Sequence, residues 1–329
     1  MFWWHGRATI PCTGARSPWA WVEVVTAVDT NTGLDADFWK SVTPVVVTYN
    51  SAHCVSDLAD CLSGYAHVIV SDNASGDGTV ERVHELLPQA EVLAHDRNLG
   101  FGTANNRALA RVKTRFALLL NPDCSIRPED VRRLVDAAQT FPEASILGPQ
   151  ILDGKGRPEV NYRWAANRWK SEGPAAEGPA CVGFLSGAVM LLQMDVCAPL
   201  GFFDERFFLY YEDDDLCLKF FDAKRPLIIV PAASAVHLAR RSVKGNAPIK
   251  GEFWRGYHHA QSKLTYSAKH HGAEEASRLW RRLMIETTLA LPLRCVLFSP
   301  RMIARLMGRW RGVLAWQQAA NGRAQPPRS

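Results

Sequence analysis

Between residues 45 and 120 a short apolar run that stops on polar residues recurs four times, and a segment of helical character separates each run from the next. The runs are Val45 to Asn50, His67 to Asp72, Ala90 to Ala94 and Phe116 to Leu120; the helical segments are Ser56 to Ser63, Val80 to Leu87 and Thr103 to Lys113. Parallel neighbours in a sheet need a long crossover, usually a helix, whereas antiparallel ones need only a turn. This alternation therefore predicts an α/β, Rossmann-like fold: a mostly parallel sheet with helices flanking both faces. In such sheets ligands collect outside the carboxyl ends of the strands. Thr48-Tyr49-Asn50, Asp72-Asn73, the loop from Gly100 that leads to Asn105, and Asn121-Pro122-Asp123 all fall there.

Past this region the pattern thins. Residues Asp153 to Gly183 are rich in Gly, Pro and Trp and include Glu172-Gly-Pro-Ala-Ala-Glu-Gly-Pro179, which reads as a loop. Phe184 to Leu192 and Leu227 to Val230 are strand-like, and from Glu274 onward the chain reads as helical. Between them, Leu209-Tyr-Tyr-Glu-Asp-Asp-Asp-Leu216 sets four consecutive carboxylates, Glu212 to Asp215, against aromatic and aliphatic neighbours. Acids do favour the positive end of a helix, so this is consistent with a helix start. Four in a row also repel one another unless a cation or a shared proton relieves them, which points to chemistry.

Of the 329 residues 47% are apolar, enough for a large core, and the net charge is +5. The basic charge is uneven: Arg278 to Arg311 holds eight arginines against one acid, Glu286. No zinc-finger spacing, RNA-binding aromatic motif or basic zipper accompanies them, so nucleic acid is not the expected partner and an anionic membrane surface is. The last helical segment sets Ile303, Leu306, Met307, Trp310, Val313 and Leu314 against Arg301, Arg305 and Arg309, a basic amphipathic pattern that suits either a bilayer interface or packing on the chain's own domain. No run of 18 apolar residues occurs, and Leu289 to Phe298 is broken by Pro292 and Arg294. Residues 1–40 form an extension without the pattern of a secretory signal, and the eight scattered cysteines read as reduced thiols of a cytoplasmic protein.

Gly100-Phe-Gly102 invites a nicotinamide-dinucleotide reading, but Asn105 replaces the third glycine and the loop follows the third strand instead of the first. A nucleotide-diphosphate sugar accounts for more residues. Asp72 is placed to accept the imide N–H of a pyrimidine base, and a divalent metal at Asp123 would neutralise a diphosphate. His237, in Ala235-Val-His-Leu238, reads as a further metal ligand or as a packed histidine.

The order of Val45-Val-Val-Thr-Tyr-Asn50, Ser71-Asp-Asn-Ala-Ser75, Asn98-Leu-Gly-Phe-Gly-Thr-Ala-Asn-Asn106, Asn121-Pro-Asp123, Gly201-Phe-Phe-Asp204, Glu212 to Asp215 and His237 resembles the family 2 glycosyltransferases of GT-A fold, in particular their rhamnosyltransferase-like branch. The resemblance covers residues 44 to 242. It implies an inverting transfer of a sugar, with L-rhamnose from dTDP-rhamnose as one candidate, from a nucleotide diphosphate to a lipid-linked or polysaccharide acceptor in cell-envelope glycan synthesis. It implies Asp213 as catalytic base; donor contacts at Thr48, Tyr49, Asn50, Asp72, Asn73, Gly100, Asn105 and Asn121; Mg²⁺ or Mn²⁺ at Asp123 and His237; and acceptor contacts at Glu212, Tyr211 and Gly187. The aromatics Phe207, Phe208, Tyr210 and Tyr211 suit either an acceptor platform or a core. Asn121 stands where many GT-A enzymes carry an acid, which puts the strictness of the metal requirement in question. The implied layout is an extension (1–40), a GT-A domain (41–245, its nucleotide-binding half ending near 150) and a helical C-terminal region (246–329) associated with the inner face of the plasma membrane. A nicotinamide-dependent oxidoreductase and an inactive sugar-nucleotide-binding membrane scaffold are the competing readings.

Overall fold

The structure, a computed structural model, describes residues 36–165, 174–238 and 248–320. Most of the N-terminal extension, part of the loop before Pro179 and the last nine residues lie outside the described residues.

The predicted alternation is present. Strand β1 (Val42–Thr48) is followed by α2 (Val55–Leu62), β2 (Val68–Asp72), α3 (Thr79–Leu86), β3 (Ala90–Ala94), α4 (Phe101–Leu109) and β4 (Phe116–Leu120), with a short α1 (Ala36–Ser41) in front. Every residue of β1, β2 and β4 is buried, as expected of strands covered on both faces. Then come β5 (Cys124–Ile126), α5 (Pro128–Thr140), β6 (Ile146–Leu152), β7 (Tyr162–Arg163), β8 (Ala180–Val182), β9 (Phe184–Leu185), β10 (Val189–Gln193), α6 (Met194–Cys197), α7 (Glu212–Asp222) and β11 (Leu227–His237).

The main sheet runs in the order β3-β2-β1-β4-β10-β6-β11-β5, with β8 beside β11. Its first four strands are mutually parallel; β10 then runs antiparallel to both β4 and β6, and β11 is parallel to β6 but antiparallel to β5 and β8. The sheet is thus parallel in its nucleotide-binding half and mixed beyond it. The reason lies in the connections. Among the described residues between β6 and β10 the regular elements of the sheet layer are the short strands β7, β8 and β9, without an α-helix, and β10 enters antiparallel to both its neighbours.

Successive strand residues serve opposite layers. Val46, Leu118 and Leu120 join Leu58, Val83 and Leu134 on the face covered by α2, α3 and α5. Val45, Ala117 and Leu119 join Leu109, Leu216 and Phe220 on the face covered by α4 and α7. Two packed faces fix the strand register, and that register aligns the polar strand ends.

The C-terminal region forms three helices, α8 (Pro248–His271), α9 (Ala273–Val296) and α10 (Pro300–Ala320). Helices α8 and α10 meet backbone to backbone: a Cβ on Gly256 would collide with the carbonyl of Arg305, and one on Gly308 with the carbonyl of Phe253. Small residues permit such an approach. The apolar side of α10 is divided between the two readings: Leu306 and Val313 are buried and Arg305 turns toward Glu252 on α8, while Met307 and Trp310 stay exposed. No helix among the described residues is long and apolar enough to cross a membrane.

Candidate active site

A cavity of about 320 Å³ opens where the parallel strands end. Thr48, Tyr49, Asn73, Gly100 and Asn121 from the strand-end loops line it together with Gly187, Tyr210, Glu212, Asp213 and His237.

The donor side is built by loops that hydrogen-bond one another. Asn73 takes its backbone bond from the end of β1 by donating its N–H to the Thr48 carbonyl, its Nδ2 donates to Gly100 O, and its Oδ1 accepts the Leu99 N–H. Asn50, at φ 51°, accepts from Gly76 N–H and donates its own N–H to Ser75 Oγ. Gly100 is required at its position. Its φ of 86° is open to glycine, and a side chain there would strike the Phe208 carbonyl, which also accepts the Phe101 N–H. That contact joins the donor loop to the aromatic loop across the cavity.

Asp72 is buried at the end of β2 and already accepts three hydrogen bonds, from Thr48 Oγ1 (2.7 Å), Ser75 N (2.8 Å) and Ser75 Oγ (2.5 Å). A carboxylate has room for about four donors, so one acceptor position remains.

Antiparallel pairing of β5 with β11 sets Cys124 opposite His237 and so brings Asp123 beside that histidine. His237 Nε2 lies 3.6 Å from Asp123 Oδ1, and the Asp123 side chain raises the His237 pKa by its hydrogen bond and charge. Asp123, Cys124 and His237 place their ligand atoms within 4.8 Å of one another and form the one such group among the described residues. Burial and the charge of Asp123 push the Cys124 thiol well above its ordinary range, so it stays protonated and is a poor ligand for a hard cation. A carboxylate and an imidazole beside a diphosphate fit a divalent metal.

The acidic quartet divides in two. It does begin a helix, since all four acids occupy the first turn of α7, where the macrodipole favours them. Asp214 accepts from Arg163 Nη1 at 2.7 Å, and that guanidinium also stacks 3.6 Å from the Phe184 ring centroid. Asp215, 1% exposed, is held by Lys269 Nζ and His270 Nε2 of α8, each at 2.7 Å. Glu212 and Asp213 have no such cation among the described residues and face the cavity. Asp213 Oδ2 accepts the Gly187 N–H at 3.2 Å and Oδ1 accepts the Asp214 N–H at 2.9 Å. Burial, with the charge of Asp214 behind it, pushes Asp213 up to about 6 against the pull of those donors. Glu212 is 7% exposed, its Oε2 is buried without a hydrogen-bond partner among the described residues, and desolvation together with the Asp213 charge raises it well above the carboxylate range. Raising both acids eases the repulsion that the sequence poses, because a proton held on either one removes a charge.

The loop that presents the pair is strained. Tyr210 (φ 70°) and Tyr211 (φ 66°) are consecutive bulky residues in the left-handed region. Helix α8 holds them: Ser262 Oγ donates to the Leu209 carbonyl, Phe208 stacks on His258 with ring centroids 4.4 Å apart, and His259 lies edge-on to both tyrosines.

The predicted residues thus converge, with exceptions. Asn105 is 1% exposed inside α4 and its Nδ2 donates to its own helix at Phe101 O, so the structure does not bring it to the cavity. Asn50, Asp72 and Asp123 lie behind the lining, and Tyr211 packs against Tyr266. Phe207 is fully buried, the core alternative for that aromatic, while Phe208 and Tyr210 line the cavity. Sequence reasoning missed Arg163, Lys269 and His270, which come from remote segments with no local signal, and Asn98, whose Oδ1 accepts the Gly100 N–H and which the Asn-Leu-Gly spacing does signal.

Residues 43–196 match the model of Glycosyl transferase family 2. The N-acetylglucosaminyl-diphospho-decaprenol L-rhamnosyltransferase of Mycobacterium tuberculosis is 29% identical over 246 residues, 65% of this chain and 78% of the relative. The low-salt glycan biosynthesis hexosyltransferase Agl10 of Haloferax volcanii is 28% identical over 199 residues, 53% of this chain and 60% of the relative. Among solved structures, a mannosyltransferase from Pyrobaculum calidifontis in complex with GDP-Man and Mn²⁺ superposes with a TM-score of 0.54 at 15% identity, covering 91% of both chains, which establishes a shared fold.

Proposed function

We propose that the chain is a family 2 glycosyltransferase of GT-A fold, the family whose model matches residues 43–196, and that it transfers a sugar, L-rhamnose from dTDP-rhamnose in the first instance, to a lipid-linked glycan acceptor with inversion at the anomeric carbon. The observation that carries this reading is the division of the quartet: Asp214 and Asp215 are tied to cations, and Asp213 lines the same cavity as the donor loops. Of the two cavity acids Asp213 is the base. It is oriented by two backbone N–H groups, and an acid near 6 is ionised at neutral pH yet still takes a proton, whereas burial and the Asp213 charge raise Glu212 well above the carboxylate range.

In the proposed step the acceptor hydroxyl oxygen forms a bond to the anomeric carbon, the bond from that carbon to the diphosphate oxygen breaks with its electron pair leaving on the diphosphate, and the hydroxyl proton passes to Asp213. Thr48, Asn73 and Asn121 border the nucleotide, and Asp72, just behind that lining, would take the base N–H with its remaining acceptor position once the nucleotide enters. Asp123 and His237 are the residues that would hold Mg²⁺ or Mn²⁺, which supplies positive charge to the departing diphosphate. The names of the relatives favour rhamnose and a diphosphate-linked polyprenol carrier, and so a place at the inner face of the plasma membrane. Nothing favours the nicotinamide reading, because the Gly-rich loop follows the edge strand β3.

The test is a panel of dTDP-, UDP- and GDP-sugars incubated with purified protein, divalent metal and a polyprenyl-diphosphate-linked N-acetylglucosamine. Release of nucleotide diphosphate should be strongest from dTDP-rhamnose and should fall at least tenfold with chelator or in Asp123→Ala. No release from any donor would overturn the reading.

A further inference from the structure

In the described structure the longest run of exposed apolar side chains lies on the second half of α9, a segment unsuited to spanning a bilayer. Ile285, Leu289, Leu293, Val296, Leu297 and Phe298 are each between 57 and 90% exposed. Their steps of three and four residues put the helical members on one side of the helix. The other side of α9 is used conventionally: Leu283 is buried among Ala260, Leu264 and Val313, and Trp280 Nε1 donates to the Val313 carbonyl. The helix is therefore docked by one face and bare on the other. Phe298, at the turn into α10, is the most exposed of the six and sits at φ 43°, a conformation that costs a bulky residue energy. Folding gains nothing from holding a phenylalanine outward in that way.

Charge says what covers this face. From Thr287 to Ala320 the chain has no Asp or Glu, and Arg294, Arg301, Arg305, Arg309 and Arg311 are its ionised side chains. Arg301, just past Phe298, is exposed. Arg305 already turns toward Glu252 of α8; a second copy of the same surface would bring the remaining arginines together, and an apolar protein groove would offer them no counter-ions. An anionic bilayer satisfies both features, since acyl chains take the apolar stripe and lipid phosphates take the arginines. We propose that the α9 stripe from Ile285 to Phe298 is the surface by which this protein enters the interface of an anionic membrane. The stripe is roughly 20 Å long at the helical rise, enough to lie in the plane of the interface.

The proposal deepens the reading of a lipid-linked acceptor, but its test needs neither donor nor acceptor and so stands apart from it. Full-length protein is floated with phosphatidylcholine vesicles and with vesicles that also carry phosphatidylglycerol. Wild type should float with the anionic vesicles, less so as salt rises. The triple variant Leu289→Asp, Leu293→Asp, Phe298→Asp should lose roughly tenfold or more of that partitioning, while Val160→Asp, a change at an exposed apolar residue elsewhere, leaves it intact. Because all three sites are exposed, the variant should keep its thermal transition. As an independent readout, a polarity-sensitive fluorophore on Cys295, the exposed cysteine among those described, should shift to the blue on adding anionic vesicles. Unchanged flotation of the triple variant would overturn the proposal. So would wild type that ignores vesicles but forms a dimer that the triple variant abolishes, which would assign the stripe to a second copy.

Discussion

Among the donor loops Asp72 is buried and accepts three hydrogen bonds from Thr48 and Ser75; at the start of α7 Asp213 accepts two from backbone N–H groups and lies against Asp214 and Glu212. The first carboxylate is surrounded by neutral hydrogen-bond donors. The second is surrounded by acids and apolar bulk that oppose its charge. A satisfied carboxylate organises loops and recognises a ligand, whereas one kept partly unsatisfied holds a readiness to take a proton. The same contrast runs within α7, where Asp214 and Asp215 are tied to Arg163 and to Lys269 and His270 while their two neighbours are left to the cavity.

That division can be broken first at its structural half. Asp215 is buried under two cationic partners of α8, so Asp215→Ala strands them and loosens α7 from α8. Denaturant unfolding should show a loss of about 3 kcal/mol, the scale for breaking a buried pair. A loss under about 1 kcal/mol, the scale of exposed pairs, would mean that the quartet is not anchored as described.

The catalytic half should respond in the opposite direction. A folded-state pKa raised to about 6 means that Asp213 contributes stability below the ordinary aspartate value and that this contribution is lost as pH rises through about 6. An asparagine does not ionise and escapes that loss. Asp213→Asn should therefore be more stable than wild type at neutral pH, by on the order of 1 to 2 kcal/mol, and equal to it near pH 4. Thermal unfolding across this range checks the sign; a variant less stable than wild type at neutral pH would remove the contrast between the two carboxylates.

How much of this was legible beforehand follows from where each signal resides. Strands β3 and β4 fall on the predicted residues, and β1, β2 and the intervening helices within a few; for β1, β2 and β4 burial on both faces writes itself into local composition, while the half-exposed edge strand β3 shows through the alternation of elements around it. Phe184 to Leu192 reads as one strand but is broken at Ser186-Gly187, where the backbone turns to present the Gly187 N–H to Asp213, and local hydrophobicity does not register that need. The acidic quartet was visible, but its division was not, since Arg163 and Lys269 lie 51 and 54 residues away from their partners in sequence. On α10 the amphipathic pattern was real but packs against α8 through Gly256 and Gly308, while the exposed stripe of α9 was concealed by Pro292 and Arg294.

The central claim, that Asp213 is the base because the cavity denies its charge, is tested most directly by the pH dependence of kcat for sugar transfer in wild type and Asp213→Asn, with nucleotide-diphosphate affinity measured alongside. Wild type should lose activity on the acid side with an apparent pKa near the value of about 6. In the variant that limb should vanish and kcat should fall by roughly 100-fold or more at neutral pH, with affinity unchanged. A variant that transfers sugar at the wild-type rate, or that keeps the acid limb, would contradict the account and place the base elsewhere.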